Sequence, residues 1–278
     1  MRSPLLILAA LALLSTACGD DDGPAPMADA GQDGGGSGDA GADAGPVPGC
    51  TAVGLDPEVV HFDTDDGVTL EAALFVEGTV GGPGLILLHM VPPTNNRSNY
   101  ARPVIDTFVA RGFTVLNVDR RGAGGSGGEA IDAYTGPNGR LDAKAAFAFL
   151  RAHPCGIDAT RIALVGASNG TTTVLDYALM TAADDALEAP AALVFLTGGA
   201  YTEAQNTVAD NRATLETLRV LFVYSTAERA WSAPFEAGAP TTWQFNEYTG
   251  GDHGTRMFSA VPASVTDVAD FLEAAVAP

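Results

Sequence analysis

Positive charge is scarce in this chain. Fourteen lysines and arginines stand against 34 aspartates and glutamates in 278 residues, a formal net charge of −20. A polyanion needs a basic surface to bind, so the balance argues against nucleic acid as a partner. Histidine is also scarce, with four residues, and any role that needs an imidazole must fall to one of them. Cysteine is scarcer still. The three are Cys18, Cys50 and Cys155, widely spaced along the chain.

The first residues have the layout of a secretory signal: Met1-Arg2, an apolar stretch from Leu5 to Leu14, and a small-residue site Ser15-Thr16-Ala17-Cys18. The apolar core is too short to span a bilayer as a permanent helix. A cysteine directly after Ala17 resembles the lipobox of bacterial lipoproteins, in which that thiol is lipidated and becomes the new N-terminus. Leu14 lies four positions before Cys18, where the commoner pattern has its aliphatic residue three before, so cleavage near Ala17 with release is the alternative. The expectation is an envelope protein held to a membrane only through a lipid on Cys18, and otherwise secreted or periplasmic. Residues 19–49 carry seven aspartates and no cation amid Gly, Ala and Pro. They lack the apolar side chains that would offset chain entropy and read as a flexible acidic linker. Between 50 and 278 stand 27 acids and 13 bases, which favours solubility outside the cell. Cys50 and Cys155 are the cysteines left after Cys18. In an exported protein such a pair is a disulfide candidate.

Residues 50–278 suit one domain with a sizeable core. Apolar, strand-like runs recur at 58–63, 69–77, 84–89, 114–119, 161–166, 191–197, 219–225 and 242–249. Helical segments fit between the later ones at 98–111, 139–152, 169–182, 203–217, 229–236 and 260–276. This alternation implies an α/β fold with a mostly parallel, eight-stranded sheet and helices on both faces. The first two strands are expected to pair antiparallel across the turn signal Asp65-Asp66-Gly67. Every crossover is short, so no large cap domain is expected.

Within that frame one motif carries chemistry. Gly166-Ala167-Ser168-Asn169-Gly170 stands between the apolar strand Ile162–Val165 and a helix with Val174, Leu175, Ala178 and Leu179 at helical spacing. A strand that turns directly into a helix forces an awkward backbone angle at the corner and exposes its side chain, which makes Ser168 a candidate nucleophile. The same five-residue pattern occurs at Gly124-Gly125-Ser126-Gly127-Gly128, but no helix follows it, and Ser126 reads as loop. A serine needs a base to take its proton and a carboxylate to hold that base. His61 sits in the first strand, His153 precedes Pro154 at a helix end, and His89 ends a strand where it can organise a loop. His253 lies in the glycine-rich loop Gly250-Gly251-Asp252-His253-Gly254 after the last strand and is the candidate base. Glu228, the carboxylate of the loop after the strand 219–225, is the candidate acid. Glu203 is its main rival. Asp252 would have to curl back to reach the neighbouring ring.

These residues resemble the α/β-hydrolase family across 58–276. Besides the serine motif, the likeness rests on His89 after the third strand, Asp119-Arg120-Arg121-Gly122-Ala123-Gly124-Gly125-Ser126 after the fourth, and the lead-in Cys155-Gly156-Ile157-Asp158-Ala159-Thr160-Arg161-Ile162. The resemblance implies a catalytic triad of Ser168, Glu228 and His253, with aspartate the commoner acid in the family. It also implies an oxyanion hole formed by the backbone N–H groups of Met90 and Asn169, and no metal or organic cofactor. The family often has glycine where Met90 stands, so this side chain is expected to narrow the acyl pocket or alter its loop. Branches with a cysteine or aspartate nucleophile, such as dienelactone hydrolases and epoxide hydrolases, are disfavoured by serine at 168. The implied activity is cleavage of a small carboxylic ester through an acyl-enzyme. An exported peptidase related to the prolyl oligopeptidase catalytic domain is a second reading, and a tethered binding protein that has lost catalysis is a third. Met90, Tyr134, Tyr201, Trp231, Met257 and Phe258 are the candidates for shaping the pocket.

Overall fold

The computed structural model describes residues 47–52, 56–199 and 205–278. Eight strands form one sheet in the order β1-β2-β4-β3-β5-β6-β7-β8. β1 (Glu58–Asp63) and β2 (Thr69–Phe75) are antiparallel, joined by a tight turn in which Gly67 takes φ 81° and the Thr64 hydroxyl donates to Asp66. β2 also runs antiparallel to β4 (Thr114–Val118), whereas β3 (Gly84–Leu88), β4, β5 (Ile162–Ala167), β6 (Ala192–Leu196), β7 (Arg219–Ser225) and β8 (Trp243–Tyr248) are mutually parallel. Every residue of β3, β4, β5 and β6 is buried, as the near-continuous apolar runs require of strands covered on both faces. The core divides accordingly. On one face Ala146, Phe147 and Leu150 of α2 (Gly139–Arg151) pack with Val174, Leu175 and Ala178 of α3 (Gly170–Ala183). On the other lie Val104 and Phe108 of α1 (Arg102–Ala110), with Val268 and Leu272 of a later helix, Ala263–Ala275.

Chain direction fixes where chemistry can sit. From β3 the chain steps to β4 on one side and then crosses to β5 on the other, so the carboxyl ends of β3 and β5 flank the point where strand order reverses. Open parallel sheets place their crevice there. His89 and Met90 follow β3, and Ser168 follows β5.

Two expected helices are largely absent. Within 203–217 only α4 (Arg212–Leu215) is helical among the described residues. Ahead of it the Thr207 hydroxyl accepts from the backbone N–H of Asp210, and the Asn211 side chain donates to the Thr207 carbonyl, local bonds that compete with the helical ladder. The segment expected as a helix at 229–236 is a pair of short 3₁₀ turns, Thr226–Trp231 and Ala233–Phe235, because Pro234 cannot supply an interior helical N–H. The last helical stretch is divided as α5 (Met257–Ala260) and α6 (Ala263–Ala275), with Pro262 at the break.

Cys50 and Cys155 form a disulfide with Cα atoms 4.6 Å apart, closing a separation of 105 residues. The bridge ties the start of the domain to the turn after α2, at the edge where the parallel strands begin. Among the described residues no helix is long and apolar enough to cross a membrane, and no cluster of His, Cys, Asp and Glu could hold a metal ion. Cys18 and the signal and linker segments lie outside the described residues.

Candidate active site

Ser168 occupies the corner between β5 and α3 with φ 50°, a left-handed conformation that L residues rarely adopt. The turn is held from both sides: the Ser168 N–H donates to the Leu196 carbonyl, and the Thr171 N–H and hydroxyl both donate to the Ser168 carbonyl. The flanking glycines permit the close approach. A Cβ on Gly166 would fall 2.3 Å from the Gly170 carbonyl oxygen, and one on Gly170 would fall 2.6 Å from the carbonyl oxygens of Leu88 and His89. Only a glycine at 170 therefore lets the start of α3 lie against the end of β3.

Around that corner the three candidate side chains converge from three loops. His253 Nε2 is 2.7 Å from Ser168 Oγ, and His253 Nδ1 is 2.5 Å from Glu228 Oε1. With a carboxylate on Nδ1, that nitrogen carries the proton and Nε2 is free to accept one from the serine. Glu228 is held in turn. Its Oε2 accepts from the Thr197 hydroxyl at 3.1 Å and lies 3.5 Å from the Ser225 hydroxyl. Thr197 Oγ also accepts the backbone N–H of Gly254 at 3.1 Å, so one hydroxyl fixes Glu228 and the loop carrying His253.

Neither Thr197 nor Ser225 stands out in the sequence. Thr197 is a fully buried β-branched residue at φ 56°, an outlier whose strain is maintained because the surrounding bonds over-determine it. A threonine before Gly198-Gly199 gives no sequence signal of that geometry.

The other sequence candidates fall into place separately. Ser126 is structural, donating to the Asp119 carbonyl and accepting the Glu71 N–H. Asp252 pairs with Arg256 and with its own neighbour's backbone N–H, away from the His253 ring nitrogens that Ser168 and Glu228 engage. His61 pairs with Glu71 on the surface, and His153 accepts the Cys155 N–H. His89 is fully buried, with Nε2 accepting the Arg120 N–H and Nδ1 donating to the Met90 carbonyl. Burial and the nearby Arg120 charge push its pKa down to about 3, which keeps it neutral as a loop organiser. Glu203 and Tyr201 lie outside the described residues.

Met90 and Asn169, the candidate oxyanion donors, stand at the ends of β3 and β5, and among the described residues neither backbone N–H donates to a protein acceptor. The Met90 side chain turns toward the His253 loop: a Cβ on Gly254 would fall 2.7 Å from its sulfur. It thereby lines a cleft of about 500 Å³ with Asn95, Asn99, Arg256 and Phe258. A second cavity, about 340 Å³, lies between α3 and the segments after β6 and β7. Leu175, Phe195, Val208, Phe222 and Trp231 give it apolar walls, with Thr171 and Thr172 at the start of α3. Of the residues expected to shape the pocket, Met90 and Phe258 thus border one space and Trp231 the other. Met257 is core, packed against Gly251.

Comparison with known proteins bears on this arrangement. Residues 66–234 match the sequence pattern of the X-Pro dipeptidyl-peptidase (S15) family. No curated protein matches the chain in sequence. Among solved structures, the Pyrococcus furiosus esterase Pf2001 is similar with a TM-score of 0.60 at 20% identity, covering 79% of this chain and 91% of that one. The carboxylesterase EstE1, cloned from a metagenomic library, is similar at 0.58 and 16%, covering 82% and 91%. The esterase RhEst1 of Rhodococcus sp. ECU1013 is similar at 0.55 and 17%, covering 77% and 98%. At such identities the likeness speaks for the fold, the α/β-hydrolase fold.

Proposed function

We propose that this chain, which belongs to the X-Pro dipeptidyl-peptidase (S15) family of α/β-hydrolase enzymes, cleaves carboxylic esters through a triad of Ser168, His253 and Glu228. The observation that carries the reading is the relay of two short contacts, 2.7 Å from serine to imidazole and 2.5 Å from imidazole to carboxylate. Ser168 Oγ attacks the ester carbonyl carbon while His253 Nε2 takes its proton, and Glu228 stabilises the imidazolium that forms. The carbonyl oxygen becomes an oxyanion facing the backbone N–H groups of Met90 and Asn169 at the positive end of α3. Collapse breaks the bond to the alcohol, which leaves with the proton from Nε2. Water, deprotonated by the same nitrogen, then releases the acid and restores the serine.

The acyl group is assigned to the 340 Å³ cavity, whose apolar walls match a hydrocarbon chain and whose Thr171 and Thr172 follow Ser168 closely on α3. An ester substrate is supported by the fold's likeness to the esterases Pf2001, EstE1 and RhEst1. The family match supports a second reading, an exported peptidase cutting after an X-Pro pair. A fluorophosphonate probe labels wild type and not Ser168→Ala under either reading. Comparing p-nitrophenyl acyl esters with X-Pro p-nitroanilides separates them, and turnover of the anilides alone rejects the esterase. Absence of labelling on folded wild type rejects catalysis altogether and favours the tethered binding protein.

The site is further proposed to work outside the cytoplasm, on a protein anchored through lipidated Cys18. The Cys50–Cys155 disulfide is in keeping with an oxidising compartment. Metabolic labelling with a palmitate analogue tests the anchor: label is expected on wild type and not on Cys18→Ala, and an unlabelled wild type refutes it.

A further inference from the structure

Two adjacent arginines follow β4, and they are treated oppositely. Arg121 is paired conventionally, with Asp142 and Asp66. Arg120 is completely buried and bonds to no carboxylate. Its guanidinium donates only to neutral acceptors: the carbonyls of His89 at 3.2 Å, Met90 at 3.3 Å and Ala133 at 2.6 Å, Asn169 Oδ1 at 3.0 Å and Thr173 Oγ at 2.7 Å. Its Nε has no partner among the described residues. Burial pushes its pKa down to about 10, still high enough to leave it cationic at neutral pH. The Asp142 carboxylate, bonded to Arg121, acts on it only through space. Taking a charge out of water with no carboxylate bonded to it is costly, and a neutral side chain could fill the space without that cost.

What the charge touches suggests its use. The carbonyl of His89 and the N–H of Met90 belong to one peptide group. A donor on that carbonyl draws electron density from the amide, makes its N–H a stronger donor, and fixes the plane in which it points. The same guanidinium holds the side chain of Asn169, the residue whose N–H is the other candidate donor. His89 completes the frame, bonded to the Arg120 backbone through Nε2 and to the Met90 carbonyl through Nδ1. We infer that Arg120 is a positioning residue for the oxyanion hole, joining its two halves and placing a buried positive charge, hydrogen-bonded to no carboxylate, behind the Met90 donor. This rests on the hydrolase reading above. It assigns to a buried side chain a share of transition-state stabilisation that Ser168, His253 and Glu228 do not supply.

The test compares wild type, Arg120→Gln and Arg120→Lys on p-nitrophenyl butyrate and its thiono analogue, in which sulfur replaces the carbonyl oxygen and hydrogen-bonds poorly. In Arg120→Gln, kcat is expected to fall about 100-fold, near the loss of one oxyanion donor, with KM within about threefold of wild type. The preference for the oxo over the thiono ester is expected to shrink about tenfold, because the intrinsic reactivity difference between the two esters is the same in both proteins and cancels, leaving the oxyanion interaction. Arg120→Lys, which keeps the charge, should recover part of both. A folded Arg120→Gln, with its disulfide intact by mass, that keeps wild-type kcat or an unchanged oxo-to-thiono ratio overturns the inference. If that variant does not fold, Asn169→Ala decides: it removes one acceptor of the guanidinium but keeps the backbone N–H. A reduced oxo preference then supports the inference and an unchanged one overturns it. Wild type that is neither labelled at Ser168 nor active on the ester fails the hydrolase reading itself, and the positioning role falls with it.

Discussion

Glu228→Gln is the substitution whose consequence the site geometry constrains most tightly. Oε1 accepts the His253 Nδ1 proton at 2.5 Å, and in the proposed mechanism the carboxylate's charge also offsets the imidazolium that appears when Ser168 gives up its proton. Glutamine can keep the first function. If its oxygen faces the ring, its amide NH₂ faces Thr197 and Ser225, whose hydroxyls rotate to accept, and the productive tautomer survives. The charge is lost in any case. With the charge centres about 4 Å apart and an effective dielectric near 20, the lost attraction is about 4 kcal/mol, roughly a thousandfold in rate. The side chains of His253 and Glu228 are 26% and 23% exposed, so screening lowers this and kcat/KM should fall about 100- to 1,000-fold. KM should change little, because the interaction strengthens only as the imidazolium forms. Stopped-flow acylation by p-nitrophenyl butyrate, with fluorophosphonate labelling in parallel, measures the loss. A Glu228→Gln enzyme within about tenfold of wild type refutes the assignment. So does a larger loss in Glu203→Gln, which would move the acid to its rival.

The double variant Cys50→Ala/Cys155→Ala releases a 105-residue loop and should lose about 3–5 kcal/mol, lowering Tm by about 10 °C with kcat unchanged, since the bridge lies at the sheet edge opposite Ser168; a Tm shift under about 3 °C in calorimetry contradicts this. Asp176 is buried with Asn206 as its partner, and desolvation raises its carboxyl from 3.8 to about 6. A raised carboxyl pKa means that the folded state holds the proton more tightly, so this penalty is full above pH 6 and is relieved as pH falls toward 4, by roughly 3 kcal/mol at most. Asp176→Asn should therefore be more stable than wild type at pH 8 and lose that advantage at pH 4 in urea titrations, and an equal pH slope in both proteins rejects the account. Trp231→Ala should move the acyl-chain optimum toward longer p-nitrophenyl esters by opening the apolar cavity. Gly199→Val, whose Cβ would fall 1.8 Å from the indole, should displace the ring and also alter the profile; chain-length profiles that stay put in both variants detach this cavity from the substrate.

The parallel sheet was legible because buried strands leave a signature that needs no tertiary knowledge. Runs such as Leu85-Ile86-Leu87-Leu88 and Ile162–Val165 are apolar on both faces, and the chain can use them only under two layers of helix. The segments 203–217 and 229–236 failed as helices for the complementary reason. Their apolar spacing passes for helical, but Thr207 and Asn211 offer the backbone local hydrogen bonds and Pro234 withholds one. Periodicity measures which face is buried and says little about which backbone satisfies its own donors.

Within the site the same division appears in sharper form. Ser168, His253 and Glu228 are found together because their chemistry restricts residue type and because each follows a strand whose position the apolar pattern had fixed. Thr197 and Arg120 carry no such restriction: a threonine and an arginine are unremarkable in any loop, and their importance comes from where they are put. Thr197 is held at φ 56° with one hydroxyl shared between Glu228 and the Gly254 N–H, so the strain is offset only when the His253 loop is in place. Arg120 is held at zero exposure against the carbonyls on either side of the Met90 α-carbon. Each side chain is energetically disfavoured where it stands, one by backbone conformation and one by desolvation, and each touches the groups that orient the base or the oxyanion donors. An unfavourable residue persists at such a position when the loops it joins depend on it. In the proposed site, Thr197 and Arg120 are thus the residues that hold the triad and its oxyanion donors in place, at positions where neither is locally stable.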